Sequence, residues 1–191
     1  MKALLALLLM LVALPFAQAA ELNGVKMRDD IQEGAKTLHL NGLGLRRATM
    51  FNIKVYVAGL YLESRTQDSS QIIASTGTKK IQIQLLREVD QGRISGAWKD
   101  LFERNCADRC AALKPQLLAL QSYMTDLREG DELAFTFNPS GVIVRVKGKD
   151  LPTIGSPEFG RILLTGWLGP KPPNPELRQG LLGLGERKTS G

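Results

Sequence analysis

The 191-residue chain carries 25 Lys and Arg against 19 Asp and Glu, a formal charge of +6 with its one histidine neutral. Charged residues at 23% and apolar residues at 43% give a globular balance and exclude a disordered chain. Two cysteines and one histidine exclude a disulfide-dense scaffold, a four-thiolate zinc site and a His-rich metal centre.

Met1-Lys2 is a short positive start, followed by an unbroken apolar run from Ala3 to about Phe16 and the small residues Ala17-Gln18-Ala19-Ala20. This order predicts a secretory signal peptide over 1–20, cut after Ala19 or Ala20. Its apolar core falls short of the roughly 20 residues that a membrane span needs. An uncleaved anchor is the alternative. No later segment has the length and apolarity of a span, so the sequence predicts a soluble, exported protein, periplasmic or secreted.

Glu21–Gly34 is polar and weakly patterned and reads as one entry strand. Thr37–Arg47 alternates through Leu38, Leu40, Gly42 and Gly44, with a glycine-rich turn expected at Gly42–Gly44. Ile53–Leu62 is β-branched and aromatic, apolar on both faces, and predicts a strand covered on both sides. Gly59 within it suggests a bend or a close approach. A polar loop follows from Ser64 to Ser70, then a short helix near Gln71–Ser75. Lys80–Leu86 alternates as a half-solvated strand.

Ile94, Trp98, Leu101, Phe102 and Asn105 lie at helical spacing, and a second helix is expected from Pro115 to about Leu127. Between them stand Cys106 and Cys110. In an oxidising compartment two such thiols pair, and residues four apart on a helical turn are roughly 6 Å apart at Cα. A redox pair would use C-x-x-C, whereas this spacing is C-x-x-x-C, which favours a local staple. Glu132–Phe137 and Val142–Lys147 flank Asn138-Pro139-Ser140-Gly141, a hairpin with its turn residues in place. Ser156-Pro157-Glu158 caps a helix with the stripe Phe159, Ile162, Leu163, Gly166 and Trp167. Asn174-Pro175-Glu176 caps a last helix ending near Gly183. The pattern predicts one α+β domain over 21–184 and a flexible tail over 185–191.

The run Asn41-Gly42-Leu43-Gly44-Leu45-Arg46, followed by Lys54-Val55-Tyr56-Val57-Ala58-Gly59-Leu60-Tyr61-Leu62, resembles the opening of the chalcone isomerase-like fold. The late run from Phe159 through Trp167-Leu168-Gly169 to Pro172, with Leu177–Gly183 behind it, resembles that family's bacterial exported branch. The resemblance spans Leu22–Gly183. It implies an open-faced β-sandwich, a large curved antiparallel sheet under a layer of helices with an apolar cleft between.

The plant enzymes of the family cyclise chalcones by an intramolecular Michael addition. They use an Arg after the glycine-rich stretch, a Thr on the next strand, a Tyr and an Asn near the following helix, and a late Thr or Ser. Arg46 matches the first. Tyr56 stands where the strand Thr would be, Asp90 or Gln91 near the Tyr, Ala97 near the Asn, and Thr165 near the late hydroxyl. The enzyme constellation is therefore broken. The non-catalytic fatty-acid-binding branch holds a carboxylate with an Arg and a Tyr, and Arg46 with Tyr56 matches that pair. The resemblance thus implies a non-catalytic protein binding a small amphipathic ligand, such as a fatty acid, through Arg46, Tyr56 and Thr165. An isomerase or intramolecular lyase for an unknown enone and an envelope interaction protein without a ligand are the alternatives.

The residues themselves leave other roles open. A buried Arg46 needs a partner charge, because an unpaired one costs several kcal/mol. A ligand carboxylate would supply it, and so would an internal acid such as Glu63 or Asp90, while on the surface Arg46 needs nothing. Arg47, facing the opposite way, is expected in solvent. Tyr56 could be a packed core tyrosine. Trp98 and Trp167 read as core, and Asp90 reads as a helix cap. No phosphate-loop, dinucleotide or zinc-protease motif is present, so no cofactor or metal is expected. The scattered basic residues and 6% aromatics predict no nucleic-acid partner.

Overall fold

The computed structural model describes residues 19–48 and 51–185, with the backbone of 188–189. Most of the expected signal peptide lies outside them. Where one entry strand was expected, three short ones occur: β1 (Ala19–Leu22), β2 (Val25–Arg28) and β3 (Asp30–Glu33). The reason is the Asn23-Gly24 turn, with both residues at positive φ (51° and 80°), which folds β1 back on β2. Then come β4 (Lys36–Ala48), β5 (Ile53–Leu62), α1 (Ser69–Ala74), β6 (Lys79–Leu85) and α2 (Gln91–Asn105). After a single 3₁₀ turn follow α3 (Lys114–Ser122), β7 (Glu132–Asn138), β8 (Gly141–Val146), β9 (Lys149–Asp150), β10 (Ile154–Gly155), α4 (Pro157–Leu168), α5 (Pro175–Leu181) and β11 (Lys188–Thr189).

The large sheet runs β10-β8-β7-β6-β5-β4-β3, with β9 beside β8, and every pairing is antiparallel. Helices cover one face. There Ala58, Leu60, Ile81, Ile83, Phe135 and Val144 pack beneath Trp98, Phe102, Phe159, Leu163 and Trp167. A smaller sheet, β11-β1-β2, accompanies a second core that joins Val25 and Met27 to Leu38, Leu40, Val57 and Tyr61. So β5 is covered on both faces, as its composition predicts, and this is an α+β open-faced sandwich. At Gly59 an added Cβ would sit 3.2 Å from Leu40 and closer still to Met27, so the glycine answers to a close approach.

Four local expectations change. Gly42–Gly44 is not a turn but lies inside β4, after a bulge between Leu40 and Gly42. The second helix stops at Ser122, because the backbone of Leu127 is taken by a reciprocal pair with Val89 (2.8 and 3.0 Å). Asn174 stands at the start of α5 but makes no side-chain cap. Lys188–Thr189, inside the expected flexible tail, pairs as a strand with Ala20 and Glu21. The cysteines form the expected staple: Cys106 ends α2, Cys110 follows the 3₁₀ turn, and their Cα atoms are 5.0 Å apart.

Candidate functional site

A cavity of about 410 Å³ opens between the sheet and α2. Its inner wall is apolar, made by Ile83, Leu85, Leu133, Trp98, Leu101 and Trp167. Arg46 and Tyr56 both line it. They are direct cross-strand partners on β4 and β5, which places their Cβ atoms about 4.5–5.5 Å apart on one face.

That placement depends on the bulge at Asn41. Side chains alternate along a strand, and one extra residue moves everything after it to the other face. Leu38 and Leu40 face the second core, and so do Leu43 and Leu45. Gly42, Gly44 and Arg46 are thereby turned toward the helices. Asn41 is buried and tied at both ends: its Nδ2 donates to the Leu181 carbonyl (2.9 Å), and its Oδ1 accepts from the Thr66 N–H (2.9 Å). The two glycines then let α5 lie directly on the β4 backbone. A Cβ on Gly42 or Gly44 would run into main-chain atoms of Gly180, Gly183 or Leu177. Asn174 fixes the strand on either side of Arg46, accepting from the Arg47 N–H (3.2 Å) and donating to the Leu45 carbonyl (3.2 Å). This explains why it does not cap its own helix.

The Arg46 guanidinium donates through Nη1 to the Arg47 carbonyl. Among the described residues no carboxylate lies within 4 Å of it. Glu63 is engaged by Lys36 (2.5 Å) and the Thr78 N–H (2.5 Å), contacts that hold its carboxyl below the usual glutamate range. Asp90 caps α2 through the Arg93 N–H (2.9 Å) and pairs with the Arg93 guanidinium (3.0 Å). Neither acid suggested by the sequence neutralises Arg46.

The Tyr56 ring is open to the cavity while its hydroxyl sits deep, accepting a long hydrogen bond from Trp167 Nε1 (3.4 Å). Burial pushes its pKa up, opposed by that hydrogen bond and by the Arg46 charge. The group is therefore a neutral phenol at ordinary pH, and its proton has no acceptor among the described residues. A cation and a free O–H donor at the end of an apolar chamber can hold a carboxylate. Thr165 does not join them: its hydroxyl donates to the Arg161 carbonyl within α4 (2.7 Å), and it does not line the cavity. No group of three or more His, Cys, Asp or Glu among the described residues is placed to hold a metal ion.

Sequence reasoning missed the contribution of the tryptophans. Both are core residues, with ring centroids 5.3 Å apart, and both also form the cavity wall. It also missed Arg87 and Arg104 at the mouth. The signal present was the exposed spacing Arg93, Ala97, Asp100, Arg104 on α2, one stripe beside the buried one.

No curated protein matches the sequence. Among solved structures the fold is similar to the crystal structure of an Arabidopsis thaliana fatty-acid binding protein. The TM-score is 0.70 at 16% identity, over 83% of this chain and 92% of that one. The chalcone isomerase-like family model matches residues 19–183. With that match over nearly all of the described chain, the protein belongs to the chalcone isomerase-like family.

Proposed function

We propose that the protein is a non-catalytic carrier of a small amphipathic acid, such as a fatty acid. The carboxylate sits between Arg46 and Tyr56 and the tail fills the chamber lined by Trp98, Trp167 and Leu101. The observation that carries this reading is the cross-strand pairing of Arg46 with Tyr56 at an apolar cavity, with no carboxylate within 4 Å of the Arg among the described residues. A volume near 410 Å³ falls in the range of small-molecule sites, about 300–1,000 Å³. The binding activity named for the structurally similar plant protein is consistent with it. The position resembling the plant enzymes' Asn is Ala97, which presents a methyl group to the cavity and no hydrogen bond, and this favours binding over cyclisation.

Calorimetry with a panel of fatty acids on delipidated protein tests the reading. Arg46→Ala should weaken binding by about 1.5–3 kcal/mol, the scale of a hydrogen bond to a charge, and Tyr56→Phe by about 0.5–1.5 kcal/mol. If no acid binds the unaltered protein, or Arg46→Ala binds as tightly, the carboxylate site is wrong. Turnover of a chalcone would instead establish the isomerase. We further propose export, with a mature N-terminus at Ala20 or Glu21. N-terminal sequencing of the soluble envelope fraction decides it, and membrane-bound protein starting at Met1 would overturn it.

A further inference from the structure

The mouth of the cavity is a slot along α2. Arg93, Ala97, Asp100 and Arg104 are exposed, succeed one another at helical spacing and all line it. From Arg93 to Arg104 the helix rises about 16 Å. The sheet side of the slot includes Ala48 and Ile53, the last paired residues of the β4–β5 hairpin. Two positions before Ile53, in the connection, Phe51 is 78% exposed, and it is the aromatic member of the exposed large apolar side chains. Four arginines line the cavity, Arg46, Arg87, Arg93 and Arg104, against the carboxylates of Glu88 and Asp100. Arg93 is held by Asp90, while Arg46, Arg87 and Arg104 have no carboxylate within 4 Å among the described residues.

We propose that this mouth docks on an anionic lipid surface. Phe51 enters the interface and the rim arginines meet the headgroups, so a ligand passes between bilayer and cavity without crossing water. The inference rests on the reading of the cavity as a site for an amphipathic acid. Stable attachment to a membrane surface takes two signals, an apolar one and a cationic one, and both occur here beside one apolar opening. An acidic protein partner would account for the arginines but not for an aromatic residue 78% exposed two positions from Ile53, which lines the opening.

The test is co-sedimentation of the mature protein with phosphatidylcholine vesicles made with and without phosphatidylglycerol, at low and high salt. Binding is expected only with the anionic lipid and should fall as salt rises. Phe51→Ser should lower the partition coefficient about fivefold or more. The double variant Arg87→Glu/Arg104→Glu should lower it at least tenfold, at about fivefold per cation lost. Leu118→Ser, which removes an exposed leucine on α3 away from the mouth, should leave it unchanged. Phe51 does not line the cavity, so Phe51→Ser should keep its affinity for fatty acid in calorimetry. No binding to anionic vesicles overturns the proposal, and so does equal partition of Phe51→Ser and the double variant. Release from vesicles by an acidic protein, with Phe51→Ser behaving as the parent, also overturns it, in favour of a protein partner. Fatty-acid binding without vesicle binding removes the docking surface and leaves the ligand site standing. Vesicle binding without fatty-acid binding supports the surface and removes the ligand.

Discussion

Gly44→Ala is a one-methyl change whose cost follows from where α5 lies. A Cβ at Gly44 would sit 2.9 Å from Leu177 Cδ1 and closer still to the Leu177 carbonyl oxygen. The side chain could rotate away, but the carbonyl belongs to the helix backbone. The helix must lift or the strand must bend. Ordinary overpacking costs about 1–3 kcal/mol. Complete detachment of α5 would expose Leu177, Leu181 and Leu182, all at 2% exposure or less, at about 1.5–3 kcal/mol each. A partial lift therefore puts the cost near the top of the overpacking range, about 3 kcal/mol. The smaller conformational entropy of Ala in the unfolded chain offsets about 0.4–1 kcal/mol of this. The net loss is about 2–3 kcal/mol, or roughly 4–12 °C in Tm for a domain of this size. Urea and thermal unfolding measure it. Gly96→Ala is the control of opposite sign: on exposed α2 surface its Cβ meets nothing within 4 Å, so Ala should stabilise by up to about 1 kcal/mol. A neutral or stabilising Gly44→Ala would refute the claim that α5 rests on the β4 backbone.

Ala97→Trp fills the mouth from an exposed position, and should cut fatty-acid binding at least tenfold while moving stability by no more than about 0.5 kcal/mol. Calorimetry and urea unfolding separate the two effects. Reduction of Cys106–Cys110 removes a five-residue loop constraint, worth about 2 kcal/mol on the chain-entropy relation. A drop in Tm with reductant should report it, and Cys106→Ala/Cys110→Ala should show the same drop with no further effect of reductant. In alkali, Tyr56 and Tyr61 have folded pKa values raised chiefly by burial. Above about pH 10 the unfolded chain loses these protons while the folded protein keeps them. Stability should therefore fall as pH rises beyond that point. Tyr56→Phe should flatten the slope, which equilibrium unfolding between neutral and alkaline pH will show.

Where the sequence was read correctly, the signal was physical and local. The strand β5 is apolar on both sides because two cores need it, with Ala58 and Leu60 in one and Val57 and Tyr61 in the other. The hairpin of β7 and β8 could be read because Asn138 Oδ1 accepts from the Ser140 N–H (2.8 Å), the local bond that its residue type favours in a turn. The N-terminal strands were not separable because four residues are too few to show a period. Their partners are set by tertiary packing.

The site was half legible for a related reason. Arg46 and Tyr56 could be paired from resemblance, but not from alternation. Alternation alone puts Leu38, Leu40, Gly42 and Gly44 on a single face. The bulge at Asn41 splits that row, sending the leucines to the outer core and turning the glycines and Arg46 to the helix-covered face, where the glycines meet α5 and Arg46 lines the cavity. Nothing in the residue types announces a bulge, because Asn41 is held there by Leu181 and Thr66, partners 140 and 25 positions away. The tryptophans were ambiguous in the same way, since a buried stripe looks alike whether it meets another side chain or an empty chamber. Thr165 misled for the opposite reason. A mid-helix hydroxyl has a carbonyl four residues back within reach, and here Arg161 takes it. The long-range bonds that position Arg46 also run to α5 and its approach, through Leu181 and Asn174. In the carrier proposed above, ligand affinity and the seating of α5 are therefore coupled, and a variant that lifts the helix should weaken fatty-acid binding although it touches no ligand.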